Sequence, residues 1–367
     1  MLDIVGIGSL NVDFTATAEK MNKLPADIVK EAMSSFVYGA ERIVDENEIE
    51  RIMSLLGRDS FRKTLGGSAF NTISAMAALG SVIRIGFSGI AGGTGSKNLS
   101  FKGVMDKMSV DNTYLGGCAA ESSGLCISIN QSGVRSFIHY PGCNSRMADF
   151  LRENYEDILQ YLVEARMLHV TQFNNHETAV MLEKIIKEAR KANQSLVISC
   201  DPGYAWLKNL NMSVEGILRL SDIIFLNDME FNLLSGEREE MSDMEKAESV
   251  FWKCGQADTK LVVKKETDIK IYSRQDKADP ARGEQTFRID VISREKISDA
   301  TGAGDVFAAG FLTAILLKGM DMQYAAELGI KLMRAKLSMK PQDLNKELAL
   351  VFKECSRNFR RTLLTKE

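Results

Sequence analysis

The stretch Asp299-Ala-Thr-Gly-Ala-Gly-Asp305, followed by the apolar run VFAAGFLTAILLKG, brings together residues suited to handling an anion and a proton. Gly302, Ala303 and Gly304 let the backbone turn tightly and leave amide N–H groups uncovered. A helix expected from near Val306 aims its positive end at that turn, so loop and helix together make a site suited to phosphate. Asp305 stands at the mouth of this site, where a carboxylate would repel a bound phosphate. Two readings account for it. It is a general base that takes a proton from an attacking hydroxyl beside the anion hole, or it is a cap on the helix N-terminus.

Three further constellations carry polar groups at useful spacings. Leu65-Gly66-Gly67-Ser68-Ala69-Phe70-Asn71 opens a helix of small residues, and Asn71 lies one turn in, where its amide can grip a substrate hydroxyl. The alternative is a close-packed helix capped by Ser68. Asn227-Asp-Met-Glu230 follows a strand-like run, DIIFL, and ligands of open α/β sheets gather beyond the carboxyl ends of strands. Glu230 would hold a metal-bound water and Asn227 a phosphate oxygen, or the two form a capping box. In GIGSLNVD, Asn11 and Asp13 follow the first strand, and Asp13 either accepts sugar hydroxyls or is an exposed turn residue. GIGSLN lacks the third glycine of a dinucleotide fingerprint, and GGTGSK at 92–97 does not fit the P-loop spacing.

The elements that must position these residues read as alternating strands and helices. Strand-like apolar runs fall at Ile4–Ile7, Val82–Phe87, Met167–Val170, Leu196–Ser199, Ile223–Leu226 and Leu261–Lys264. Their continuity suits parallel strands covered on both faces. Between them lie helical patterns such as Thr178–Ala192, with Val180, Ile185 and Ala189 at apolar positions. This alternation predicts an α/β fold with a mainly parallel sheet. Residues 113–140 hold two strand-like runs, GLCISIN and RSFIHY, around a Gly-bearing turn, and residues 12–44 add further strand-prone pieces. Both segments are expected in a small β-rich lid. The charge-rich segment Ser235–Lys253 is expected to be a solvated helical face.

Composition narrows the function classes. The net charge is −3, with 45% hydrophobic and 26% charged residues. That balance describes a globular chain with no basic excess for nucleic acid or anionic membrane. No apolar run approaches the ~20 residues that span a bilayer. Asp3 and Asp13 come too early for a signal peptide. Six cysteines without a CxxC pair are expected to be reduced core thiols in a cytoplasmic protein. The three histidines, His139, His169 and His176, form no zinc-binding spacing.

In this order, GIGSLNVDF, LGGSAFNTISAMAALG, NDME and DATGAGDVFAAGF resemble the ribokinase-like (PfkB) family of carbohydrate and nucleoside kinases, over nearly the whole chain. The resemblance implies one kinase domain over 1–367: a mostly parallel sheet flanked by helices, with a small lid from about 12–44 and 113–140. It implies ATP-dependent phosphorylation of a hydroxyl on a sugar-type small molecule, with Mg²⁺ and, in many members, K⁺. On the matching positions, Asp305 is the base and Gly302, Ala303 and Gly304 the anion hole. Asn11, Asp13, Gly66, Gly67 and Asn71 bind the acceptor. Asn227 and Glu230 organise phosphate and Mg²⁺, and Asp299 and Thr301 lie in a monovalent-cation loop.

Several positions depart from that pattern. Lys264-Lys265-Glu266 replaces a small turn beside the nucleotide, where Lys264 contacts phosphate or is simply solvated. Lys331, Arg334 and Lys336 replace small residues on a helix bordering the nucleotide. The long interval between Asp13 and Gly66 is more like the adenosine-kinase-like branch. There a base would need aromatic faces, and Phe14, Phe36, Phe137, Tyr140 and Phe173 are candidates that packing can equally explain. A nucleoside acceptor and a non-catalytic metabolite-binding relative are the alternative readings. Pairing of lid edges across a two-fold would make a homodimer.

Overall fold

The computed structural model describes the chain except residues 17–40, 97–98, 132–133, 237–239, 256–257, 275–282, 291, 294–296, 298, 320, 341–342 and 365–367. Its strands are β1 (Ile4–Ile7), β2 (Asn11–Ala16), β3 (Glu41–Ile43), β4 (Phe61–Gly66), β5 (Ile85–Gly93), β6 (Leu115–Ser122) and β7 (Gly124–Gln131). They continue with β8 (Val134–Tyr140), β9 (Met167–Thr171), β10 (Val197–Asp201), β11 (Ile223–Asn227), β12 (Lys260–Lys264), β13 (Asp268–Ser273) and β14 (Glu284–Arg288).

The main sheet has the order β14-β13-β12-β11-β10-β9-β1-β5-β6. Every pairing from β6 to β12 is parallel, and an antiparallel β12-β13-β14 meander closes one side. Its strands are apolar on both faces because each face has its own core. Ile4, Ile223, Phe225 and Val262 pack on one side, with the helices Ser68–Ala78, Ala303–Lys318 and Met322–Ser338. Val5, Ile7, Leu168, Ile198, Ile224 and Leu226 pack on the other, against His176–Ala192 and its neighbours. The helix Ala303–Lys318 is buried nearly all round. It lies so close to the next helix that a Cβ on Gly310 would come 2.9 Å from the Cα of Gly329.

A second sheet, β3-β8-β7-β2-β4, stands apart from the first. Its strands alternate cleanly, so one face is apolar and the other polar. Ile127, Ile129, Ile138 and Phe14 lie on the apolar face, covered by Ile49, Ile52, Met53 and Leu56 of the helix Glu46–Leu56. The opposite face carries Asp13, Cys126 and His139 side by side, as their registers require.

The structure corrects several boundaries. β5 starts at Ile85, and Val82 is 88% exposed; the strand instead runs on through glycines to Gly93. The expected 178–192 helix starts at His176 behind an Asn175 cap, and Val180 faces solvent rather than the core. The helix after the Gly-rich loop starts at Ala303, not near Val306. β6 pairs with β5, so residues 115–122 belong to the main sheet and the second sheet takes up this stretch only from Gly124. β4 joins the second sheet, a strand the sequence reading did not foresee. Residues 17–40 of the expected lid, Phe36 among them, lie outside the described residues. The charge-rich segment forms the helix Asp243–Cys254 behind a Ser242–Glu245 capping box. All six cysteines are free thiols. Among the described residues no helix is long and apolar enough to cross a membrane.

Candidate active site

The carboxyl ends of the main-sheet strands and the polar face of the second sheet meet around Asp305. Gly302 has φ 75°, the left-handed region open to glycine, and forms the N-cap of Ala303–Lys318; no side chain caps that helix. Ala303 N donates to Ala300 O at 3.3 Å, and the first-turn N–H groups beyond it are left for an anion. Asp305 sits inside the first turn, not at the cap, so the capping reading fails. Its carboxylate is held from the facing helix instead. Ser68 Oγ donates to Oδ1 at 2.7 Å and Asn71 Nδ2 to Oδ2 at 2.9 Å. Burial pushes the Asp305 carboxyl up to about 6, with Asp201 adding repulsion, against the lowering effect of Ser68, Asn71 and Lys264.

Ser68 is thus a partner of Asp305 rather than a cap. The N-cap of its helix is Gly67, at φ 110°, where a Cβ would fall 2.0 Å from the Ser9 carbonyl oxygen. A Cβ on Gly66 would overlap the Asp13 carboxylate at 1.9 Å. The glycine pair is therefore what lets β4, its turn and Asp13 close up together. Asp13 is a strand residue between Thr64 and Cys126, not an exposed turn residue. Burial, followed by repulsion from Asp305 and Asp299, raises it to about 8. No described residue donates a hydrogen bond to it.

Asp13, Asn71, Thr301 and Gly302 line one cavity of about 390 Å³, walled on the apolar side by Phe70 and Leu348. Asn11 lines another, of about 320 Å³, with His139, Tyr140 and Asn144. Asn144 anchors this corner: it accepts from Leu10 N at 3.0 Å and donates to Asn11 Oδ1 at 3.1 Å. Of the aromatic candidates, Phe14 packs edge-on against Phe61 in the outer core and Phe173 is buried in the main core. Tyr140 packs on that same outer core. Phe137 stacks on His139, with centroids 6.1 Å apart and 25° between planes, on the polar-face strand positions.

On the other flank of Asp305, Lys264 ends β12 with its side chain only 14% exposed, drawn inward rather than solvated. Its Nζ lies 3.3 Å from Asp201 Oδ2, and a Cβ on Gly304 would come 3.2 Å from it. Burial alone would push the Lys264 ammonium down, but Asp201, Glu230 and Asp305 outweigh it and hold the group charged. Asn227 and Glu230 do form the capping box: Asn227 N donates to Glu230 Oε2 at 2.8 Å and Glu230 N to Asn227 Oδ1 at 2.9 Å. Burial and the neighbouring Asp201 raise Glu230 to about 7. Three carboxylates around one ammonium leave an excess of negative charge, and the donors are hard oxygens, which fits Mg²⁺. Mg²⁺ keeps several of its waters and is held through one or two carboxylates together with phosphate oxygens.

Asp299, expected in a monovalent-cation loop, has its carboxylate engaged by the protein's own groups. Its carboxylate is bound by Arg62 and by Lys336, and its Oδ1 accepts the Thr301 N–H at 2.9 Å. Burial works against ionisation here, but Lys336, the Thr301 N–H and Arg62 together hold the carboxyl at about 2. Arg62, Asn144 and Asp201 went unrecognised in the sequence. Asp201 left a signal, since Asp-Pro-Gly terminates the strand-like run LVISC. Arg62 and Asn144 left none, because their partners are 237 and 134 residues away.

Residues 43–340 match the pfkB family of carbohydrate kinases, and the chain belongs to that family. It is a phosphotransferase with an alcohol group as acceptor. A nucleoside kinase of Methanocaldococcus jannaschii is 24% identical over 321 residues, 84% of this chain and 88% of that protein. A ribokinase of Haemophilus influenzae is 25% identical over 260 residues, covering 70% and 76%. The adenosine kinase from Sinorhizobium meliloti superposes with a TM-score of 0.74 at 18% identity, over 96% of this chain and 99% of that one. The fold is the ribokinase-like α/β fold.

Proposed function

We propose that this kinase transfers the γ-phosphoryl group of ATP to a hydroxyl of a sugar-containing metabolite, with Asp305 as the general base. One observation carries this reading: a carboxylate with a raised pKa is held by two hydrogen bonds beside a helix N-terminus that no side chain caps, close enough to Asp13 for the two carboxylates to repel each other. Asp13, with Asn11 and Asn71, orients the acceptor hydroxyls, and Asp305 receives the proton of the attacking one. The N–H groups of Gly302 and Gly304 and the Lys264 ammonium meet the charge that builds on the transferred group. Glu230, Asp201 and Asn227 would hold Mg²⁺ through water, and the ion would neutralise phosphate charge when bound. The second sheet covers the site and excludes water.

A nucleoside is the second reading, favoured by the stacked Phe137–His139 pair beside Cys126 and Asp13. The alternative of a non-catalytic binder is disfavoured by the bonds held on Asp305, which a binding module does not need. The test is ADP release with Mg-ATP across pentoses, hexoses, their phosphates and nucleosides. Asp305→Asn is expected to lower kcat by about 10²–10⁴-fold with acceptor binding kept. The wild-type kcat/KM should fall with unit slope as pH drops through about 6, where Asp305 takes up its proton. Unchanged turnover of the variant would remove Asp305 as the base.

A further inference from the structure

Asp299 opens the loop that ends in the anion site, and the protein itself engages each of its oxygens. Oδ1 accepts from Thr301 N at 2.9 Å, Oδ2 meets Arg62 and the Lys336 ammonium, and the carbonyl oxygen accepts from Lys336 Nζ at 3.3 Å. Nζ stands 3.3 Å from Oδ2 as well, and the two side chains are only 9% and 10% exposed. Lys336 reaches this point from the helix Met322–Ser338, across the helix that carries Asp305. One positive charge, held by a carboxylate oxygen and a main-chain carbonyl, is the charge and part of the oxygen shell that a bound monovalent cation would have. A K⁺ ion placed on the same oxygens would lie a few ångströms from that ammonium in partly buried surroundings, where like charges repel strongly.

We propose that Lys336 is the chain's own monovalent cation: it fixes the turn from Asp299 to Gly302, and the site works without K⁺. Lys336 touches no reacting atom. It is a positioning residue, acting through the loop that ends at the helix N-terminus. The kinetic part of the test rests on the kinase reading above, while the melting part does not.

Wild type and Lys336→Ala are compared in buffers whose only monovalent cation is tetramethylammonium, too large for the site, and then with K⁺, NH₄⁺ or Na⁺ added. Melting temperature and turnover are both read. Wild type is expected to keep its turnover within about twofold, and its Tm, in every buffer. Lys336→Ala is expected to lose roughly 100-fold in turnover, the scale of an ångström-level misplacement. It should regain turnover and Tm with K⁺ or NH₄⁺, which fit the vacated space. A wild type that K⁺ activates about tenfold, or melts higher in K⁺, overturns the proposal; so does a folded variant that no cation restores. Lys336→Gln, which keeps a polar group of similar length, replaces the alanine variant if that one does not fold. Silence in turnover with the expected melting pattern counts against the kinase reading and supports the cation assignment.

Discussion

Asp13 on β2 and Asp305 on the helix Ala303–Lys318 lie close enough to repel each other, and burial raises both carboxyls. For Asp13 the consequence can be measured without any substrate. Its folded pKa lies at about 8, above the ordinary carboxylate value of about 4. Between those values the unfolded chain is ionised while the folded one still binds the proton, so stability falls as pH rises through that window. Asp13→Asn removes this penalty. The variant is expected to melt above wild type by a margin that is absent near pH 4, widens toward pH 8 and is constant beyond, while acceptor binding is lost. Thermal unfolding across that range checks it, and a margin independent of pH would show that the charge is not its source.

At the scale of elements, the turn from β4 into the helix Ser68–Ala78 depends on a backbone no other residue can copy. Gly67→Ala would meet both the strain of φ 110° and the Ser9 carbonyl, whereas Gly80, at φ 62°, has open space around it. Gly80→Ala should therefore cost about 1–3 kcal/mol, the strain alone. Gly67→Ala should cost more and abolish turnover, because Ser68 and Asn71 move off Asp305. Urea unfolding and turnover of the two variants separate strain from collision, and equal costs would mean that the turn simply shifts.

The same element shows where sequence reading succeeds and where it stops. The Gly-Gly-Ser and Gly-Ala-Gly-Asp stretches announce themselves, and the buried parallel strands do so through runs such as IIFL. β4, with the sequence FRKTLG, has no apolar run and is a strand only because β2 lies beside it. β6, LGGCAAES, sits at the sheet edge by pairing with β5, and its small residues give no periodicity. Val82 looked like a strand residue and is exposed, since apolar type alone does not report which neighbour exists.

For the whole molecule, the two sheets are tied at separate points. Arg62 on β4 grips Asp299, Gln172 Nε2 donates to Glu41 Oε2 on β3 at 3.4 Å, and Asn144 holds Asn11. These ties join residues 131 to 237 positions apart, so no local pattern could disclose them. The Arg62 tie is a charge-assisted bond and the strongest of the three in kind. Arg62→Ala is expected to raise the acceptor KM by about tenfold, with a smaller change in kcat, by loosening the second sheet over the cavity. Steady-state kinetics decide it. An unchanged KM would mean that the sheet is held without this bond.

The contact between Gly310 and Gly329 has a consequence of a different kind. It lies about 12 Å below Gly302 along the helix, at 1.5 Å per residue, where no substrate reaches. Because the two helices touch backbone to backbone there, the height of the helix end beside Asp305 is set from beneath. A single methyl at either glycine would jack that end out of line. A survey of inactivating substitutions would then score two buried glycines alongside Asp305, and proximity to the ligand would be a poor guide to which positions this enzyme can afford to vary.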